Sequence, residues 1–209
     1  MVLNSKIPEK ITFGIIVGNR DVFPDHLAKE GRLEIIKVME SMGYNYIILS
    51  EDDTKFGTVE TYQDAKKCAL LFKTNREKID GIIVILPNFG DEKGVANTLK
   101  LADLNVPVLI QASSDELDKM DRSNRRDAFC GKISVTSVLY QYGIPFTLTK
   151  FHTCSIKSDI FMKDLERFEK ICKIVNKLKS VRLGQIGTRP NAFETVRYSE
   201  KILEFNGIS

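Results

Sequence analysis

ITFGIIV, residues 11–17, is an almost unbroken apolar and β-branched run that leads straight into the polar turn Gly18-Asn19-Arg20-Asp21. A strand with water on one face would alternate polar and apolar residues. A continuous run instead predicts a strand covered on both faces, as in a parallel sheet. Four comparable runs follow at residues 46–49 (YIIL), 81–86 (GIIVIL), 106–110 (VPVLI) and 144–148 (IPFTL).

The intervening segments carry helical periodicity. Leu33, Ile36 and Met39 share one face of a helix that stops at Gly43. Tyr62, Ala65, Ala69 and Phe72 repeat at three and four, as do Val95, Leu99 and Ala102. Residues 133–142 form a shorter apolar helix closed by Gly143. In the last and clearest, Phe161, Leu165, Phe168, Cys172, Val175 and Lys179 run down one side, with Lys and Glu opposite. Parallel strands cannot be joined by tight turns, so five β–α units in series predict an α/β fold. The expected form is a doubly wound, mostly parallel open sheet of the Rossmann-like or flavodoxin-like kind. Residues 113–126 are polar and read as an ordered loop or short charged helix over the sheet's carboxyl edge.

After Ser180 a new unit is expected: a strand at residues 182–187 (RLGQIG), then a helix with Pro190 in its first turn and an Asn206-Gly207 stop. Phe193, Val196, Ile202 and Phe205 form its apolar side. This pair reads as the opening of a second α/β domain, which divides the chain into 1–180 and a truncated 181–209. The alternative is a sixth strand of the first sheet.

With 43% hydrophobic and 28% charged residues, disordered and fibrous classes drop out. The net charge of +3 is small and spread along the chain. The densest basic cluster, Arg122, Arg125 and Arg126, is interleaved with Asp121 and Asp127, so no nucleic acid partner is expected. No apolar run approaches the ~18 residues of a membrane span, and residues 1–10 are too polar for a signal peptide. The expectation is a cytoplasmic protein without membrane contact. Cys68, Cys130, Cys154 and Cys172 have no metal or redox spacing and read as free, buried thiols.

Ligands of open parallel sheets bind beyond the carboxyl ends of the strands. Those ends supply Asn19-Arg20-Asp21, residues 87–92 (PNFGDE), Gln111 with Ser113-Ser114, residues 150–152 (KFH) and Thr188-Arg189-Pro190. Arg20 offers a fork of donors for hydroxyls or a carboxylate, or else a surface ion pair with Asp21 or Asp25. Phe89 offers an aromatic face to a sugar, or packs under its own loop. Asp91 and Glu92 stand where carboxylates favour a helix start. His26 and His152 lie far apart with no metal-ligand spacing. Glycine-rich nucleotide loops and serine elbows are absent from the sequence. The residues thus describe a binding crevice without an obvious catalyst.

Particular strings go further. Residues 127–135 (DAFCGKISV), continuing to residues 139–146 (LYQYGIPF), resemble the N-terminal domain of L-fucose isomerase and L-arabinose isomerase-like proteins. Residues 184–198 (GQIGTRPNAFETVRY) resemble the opening of that family's second domain, and the turn at residues 88–92 (NFGDE) fits as well. The resemblance implies a metal-dependent aldose–ketose isomerase. In it a divalent ion, usually Mn2+, holds adjacent sugar oxygens while carboxylates move a proton between C1 and C2 through an ene-diol. The family's metal-binding Glu, Asp and His come later in the chain and have no counterpart here. The 209 residues alone are therefore expected to bind no metal and to be inactive. The resemblance further implies a monosaccharide substrate and a homo-oligomer in which this domain completes a neighbour's pocket. Its implied substrate contacts are Arg20, Asn88, Phe89 and Arg189. Arg20 stands in Gly-Asn-Arg-Asp rather than the family's Gly-Ile-Arg-Pro. The rival expectation is a non-catalytic sugar-binding or scaffold domain.

Overall fold

The structure is a computed structural model that describes residues 10–179, 181, 192 and 198–208. Its sheet consists of β1 (Thr12–Val17), β2 (Asn45–Ile48), β3 (Gly81–Leu86), β4 (Val108–Ala112) and β5 (Thr147–Leu148). The order is β2-β1-β3-β4-β5 and every pairing is parallel. The helices are α1 (Asp25–Ser41), α2 (Tyr62–Thr74), α3 (Glu92–Ala102), α4 (Ala128–Gln141), α5 (Asp159–Leu178) and α6 (Glu200–Phe205). The α/β doubly wound architecture expected from the apolar runs is the one observed.

Every residue of β3 is buried, and its side chains alternate between two separate cores. Ile82, Val84 and Leu86 pack with residues of α2, α3 and α4, whereas Ile83 and Ile85 pack with α1 and α5. That alternation is why the strand needs apolar residues at every position. Each such side chain contributes roughly 1.5–3 kcal/mol by leaving water. α2 starts with a reciprocal cap, Thr61 with Asp64, and α3 and α5 start with Asp91 and Ser158 accepting from Gly94 and Phe161 backbone N–H groups.

Several expectations need correction. The buried face of α1 is Leu27, Ala28, Gly31, Arg32, Ile35, Val38 and Met39; Leu33 is exposed and Ile36 only half-buried. Tyr62 is likewise exposed, and Cys68 takes its place in the buried stripe of α2. α4 begins five residues earlier than the apolar run suggested, at Ala128. Cys68, Cys154 and Cys172 are buried as expected, but Cys130 is exposed on α4. The polar stretch before α4 takes the first of its two expected forms, an ordered loop built of turns. Asp115 anchors it by accepting from the Arg126 and Asp127 N–H groups, and Arg126 Nη1 donates to the Pro87 carbonyl at 3.0 Å. The expected strand at 182–187 and most of the following helix lie outside the described residues, as does Arg189; α6 does not continue that helix but starts at its own cap, Ser199, whose backbone is extended.

Candidate functional site

Strand order reverses direction between β1 and β3, and the loops leaving their carboxyl ends define the crevice where such sheets bind ligands. Asn19 and Asn88, one from each loop, are both fully buried here. Buried amides must find partners, and these find each other: Asn88 Nδ2 donates to Asn19 Oδ1 at 2.7 Å. Asn19 Nδ2 donates in turn to Asp25 Oδ1 and Glu60 Oε2, both at 3.0 Å, and the Gly90 N–H donates to Asn88 Oδ1. The substrate contact expected at Asn88 therefore falls on a side chain with no exposed surface, whose amide braces the two loops. Lys55 closes the cluster, 2.7 Å from Asp25 and 3.9 Å from Glu60. Burial raises the Glu60 pKa, and proximity to Asp25 and Asp21 adds to that.

Arg20 and Phe89 meet above this brace. The guanidinium carbon lies 4.6 Å from the Phe89 ring centroid, and Phe23 packs on the same ring at 5.4 Å. Arg20 Nη1 donates to Glu92 Oε2 at 2.7 Å. Arg20 is thus paired with neither Asp21 nor Asp25 but with the first residue of α3. Its side chain stays 35% exposed, enough for a ligand to reach the remaining donors. Phe89 is half-buried beneath the arginine, an aromatic floor for the guanidinium rather than an open face. Asp91 and Glu92, adjacent in sequence, divide the work: Asp91 caps α3 and Glu92 turns to Arg20.

Two glycines make this geometry possible. Gly90 has φ 72°, a left-handed conformation that other residues adopt at a cost. A Cβ on Gly131 would land on the Phe89 carbonyl, so α4 presses its backbone directly against the Phe89 loop. The Gly-Lys pair inside the string at residues 127–135 is explained this way. Its lysine, Lys132, is fully buried, donating to Thr149 Oγ1 at 2.7 Å and to the His152 carbonyl at 2.9 Å. Burial pushes its pKa down to about 8, against a smaller pull upward from Cys154 and Asp164. The sequence reading missed Lys132, although a lone cation inside an apolar helical pattern was the available signal.

Other strand-end candidates lie away from the Arg20 cluster. Gln111 is buried and donates to the Cys154 carbonyl, Ser114 donates to Thr153, and the His152 ring sits 4.4 Å from the Phe129 ring. Cavities of about 600 Å³ open elsewhere: one beside Tyr44, Met162 and Glu166, another beside Leu99, Val106 and Tyr142. The second sits at the amino-terminal ends of β3 and β4, remote from the crevice.

Residues 14–179 match the N-terminal domain of the fucose/sulfoquinovose isomerases. The chain belongs to that family. No curated protein matches it. The isomerase-family match takes in the whole Arg20–Phe89–Glu92 cluster and both asparagines of the brace. Among the described residues, no three or more His, Cys, Asp or Glu side chains converge in a way that would hold a metal. Asp25 and Glu60 come together at Asn19, but their oxygens are taken up by Asn19 and Lys55. The implied Mn2+ does not fit these residues. No described helix is long and apolar enough to cross a membrane.

Proposed function

We propose that this domain supplies a sugar-facing wall and subunit contacts to a metal-dependent aldose–ketose isomerase, with the metal ligands provided from outside the described residues. The observation carrying this reading is Arg20, held over Phe89 and against Glu92 at the crevice where the strand order reverses. A guanidinium with donors to spare beside a carboxylate acceptor presents the mixed donor–acceptor surface that vicinal hydroxyls require. In this role Arg20 orients a sugar by hydrogen bonds and Glu92 accepts from a neighbouring hydroxyl; neither moves the C1–C2 proton. Subunit contact is supported by α4, which exposes Phe129, Ile133 and Tyr140 at helical spacing along one side. Large apolar side chains grouped on an exposed face mark interaction sites.

The test is a titration of the 209-residue chain with a neutral aldohexose, followed residue by residue by amide NMR, with a parallel assay for ketose in Mn2+. Shifts gathered at residues 18–23 and 87–92, with millimolar affinity and no ketose, are expected. Shifts confined to the amino-edge cavity, or ketose made by this chain alone, would overturn the assignment.

A further inference from the structure

We propose that Glu92 is a specificity-determining residue that makes this wall select an uncharged polyol over a sugar carrying a carboxylate, phosphate or sulfonate. The inference rests on the sugar-facing role given to Arg20 and says which sugars that role admits. The family's name spans both kinds, since fucose is neutral and sulfoquinovose is an anion at neutral pH.

An arginine at a crevice is ordinarily an anion receptor, because its fork of donors matches a carboxylate or phosphate. Arg20 already has its anion. Glu92 Oε2 sits 2.7 Å from Nη1, on a side chain only 22% exposed, so the pair is partly withdrawn from water. An anionic ligand would have to displace Glu92 or approach alongside it. The surroundings add to that barrier. Asp25 and Glu60 converge on Asn19, next to Arg20, and share Lys55 between them; Asp21 follows Arg20 directly. Arg126, reaching over the same edge to the Pro87 carbonyl, is also matched, lying 3.6 Å from Glu116. Arg20, Lys55 and Arg126 are thus each answered by a carboxylate within the domain. A hydroxyl group, in contrast, can accept from a free Arg20 N–H and donate to Glu92 without breaking the pair.

Galactose and galacturonate form a suitable pair of probes, since they differ by a carboxylate at C6. At matched ionic strength the wild-type chain should bind galactose at residues 18–23 and 87–92 about threefold to fivefold more tightly than galacturonate, the order expected of one charge contact at a partly exposed site. Glu92→Gln preserves side-chain shape and leaves α3 capped by Asp91. It should abolish or reverse the preference by strengthening galacturonate binding. Asp21→Asn removes a nearby charge without releasing Arg20, and should weaken the preference far less than Glu92→Gln does. Equal binding of the two sugars by wild type, or a preference unmoved by Glu92→Gln, would overturn the role of Glu92 while leaving the sugar-facing wall intact. Failure of galactose to perturb this edge in any of the chains would overturn the wall itself.

Discussion

The two halves of the carboxyl edge handle buried polar groups in opposite ways. Over β1 and β3, two buried amides organise carboxylates and a lysine, and above them an arginine remains open to solvent. Over β4 and β5, one ammonium is sealed in completely, with a hydroxyl and a carbonyl for company and, among the described residues, no carboxylate paired with it. The first arrangement keeps charge available at a surface. The second spends a charge to tie α4 to the loop after β5, which a two-residue strand holds only weakly. Burial alone therefore does not mark a functional group; the difference lies in whether a polar side chain leads outward to something a ligand can touch.

The largest expected effect tests the point where the two halves touch. Gly131→Val should drive side-chain atoms into the Phe89 backbone, and equilibrium denaturation should show a loss of about 3 kcal/mol or more. A loss below about 1 kcal/mol would mean that α4 does not brace the Phe89 loop.

Next comes the sealed ammonium. Lys132 has a folded pKa near 8, below its ordinary value. From about pH 8 up to its ordinary range the unfolded chain binds the extra proton, so stability rises with pH across that window. Below about pH 8 both states are charged and the full burial penalty is present. The buried thiols Cys68 and Cys172, with pKa values raised by burial, act in the opposite direction at alkaline pH. The comparison should therefore be wild type against Lys132→Met, in which the thiol contributions cancel. Relative to the variant, wild type should gain about 2 kcal/mol between pH 8 and 10. A constant difference would show that the ammonium is not desolvated.

Arg20→Ala should change stability least, by less than about 1 kcal/mol, because a partly exposed ion pair contributes little. The same variant should abolish the galactose-induced shifts at residues 87–92. Loss of stability without loss of binding would reverse the contrast drawn between the two halves.

The fold was legible because strands buried on both faces have to be apolar throughout, and residues 13–17 and 81–86 are. The face of α1 was not, because Gly31 fits against Pro87 and Arg32 points its guanidinium to the Leu49 carbonyl, and both interrupt the apolar stripe that periodicity seeks. At the candidate site, strand-end logic gathered Arg20, Asn88 and Phe89 into one place. It did not pair Arg20 with Glu92, 72 positions away, or Asn19 with Asn88, 69 away. Local spacing carries no trace of such partnerships, which exist only once β1 and β3 lie side by side.

The stacking of Arg20 on Phe89 has a thermodynamic consequence. A long side chain waving in water gives up roughly 2 kcal/mol of rotamer freedom when a ligand seizes it. Pinned between a ring and a carboxylate, Arg20 has already surrendered much of that freedom during folding. A weakly interacting guest such as a hydroxyl then meets donors fixed in place, and little of its small binding enthalpy is lost to ordering the host.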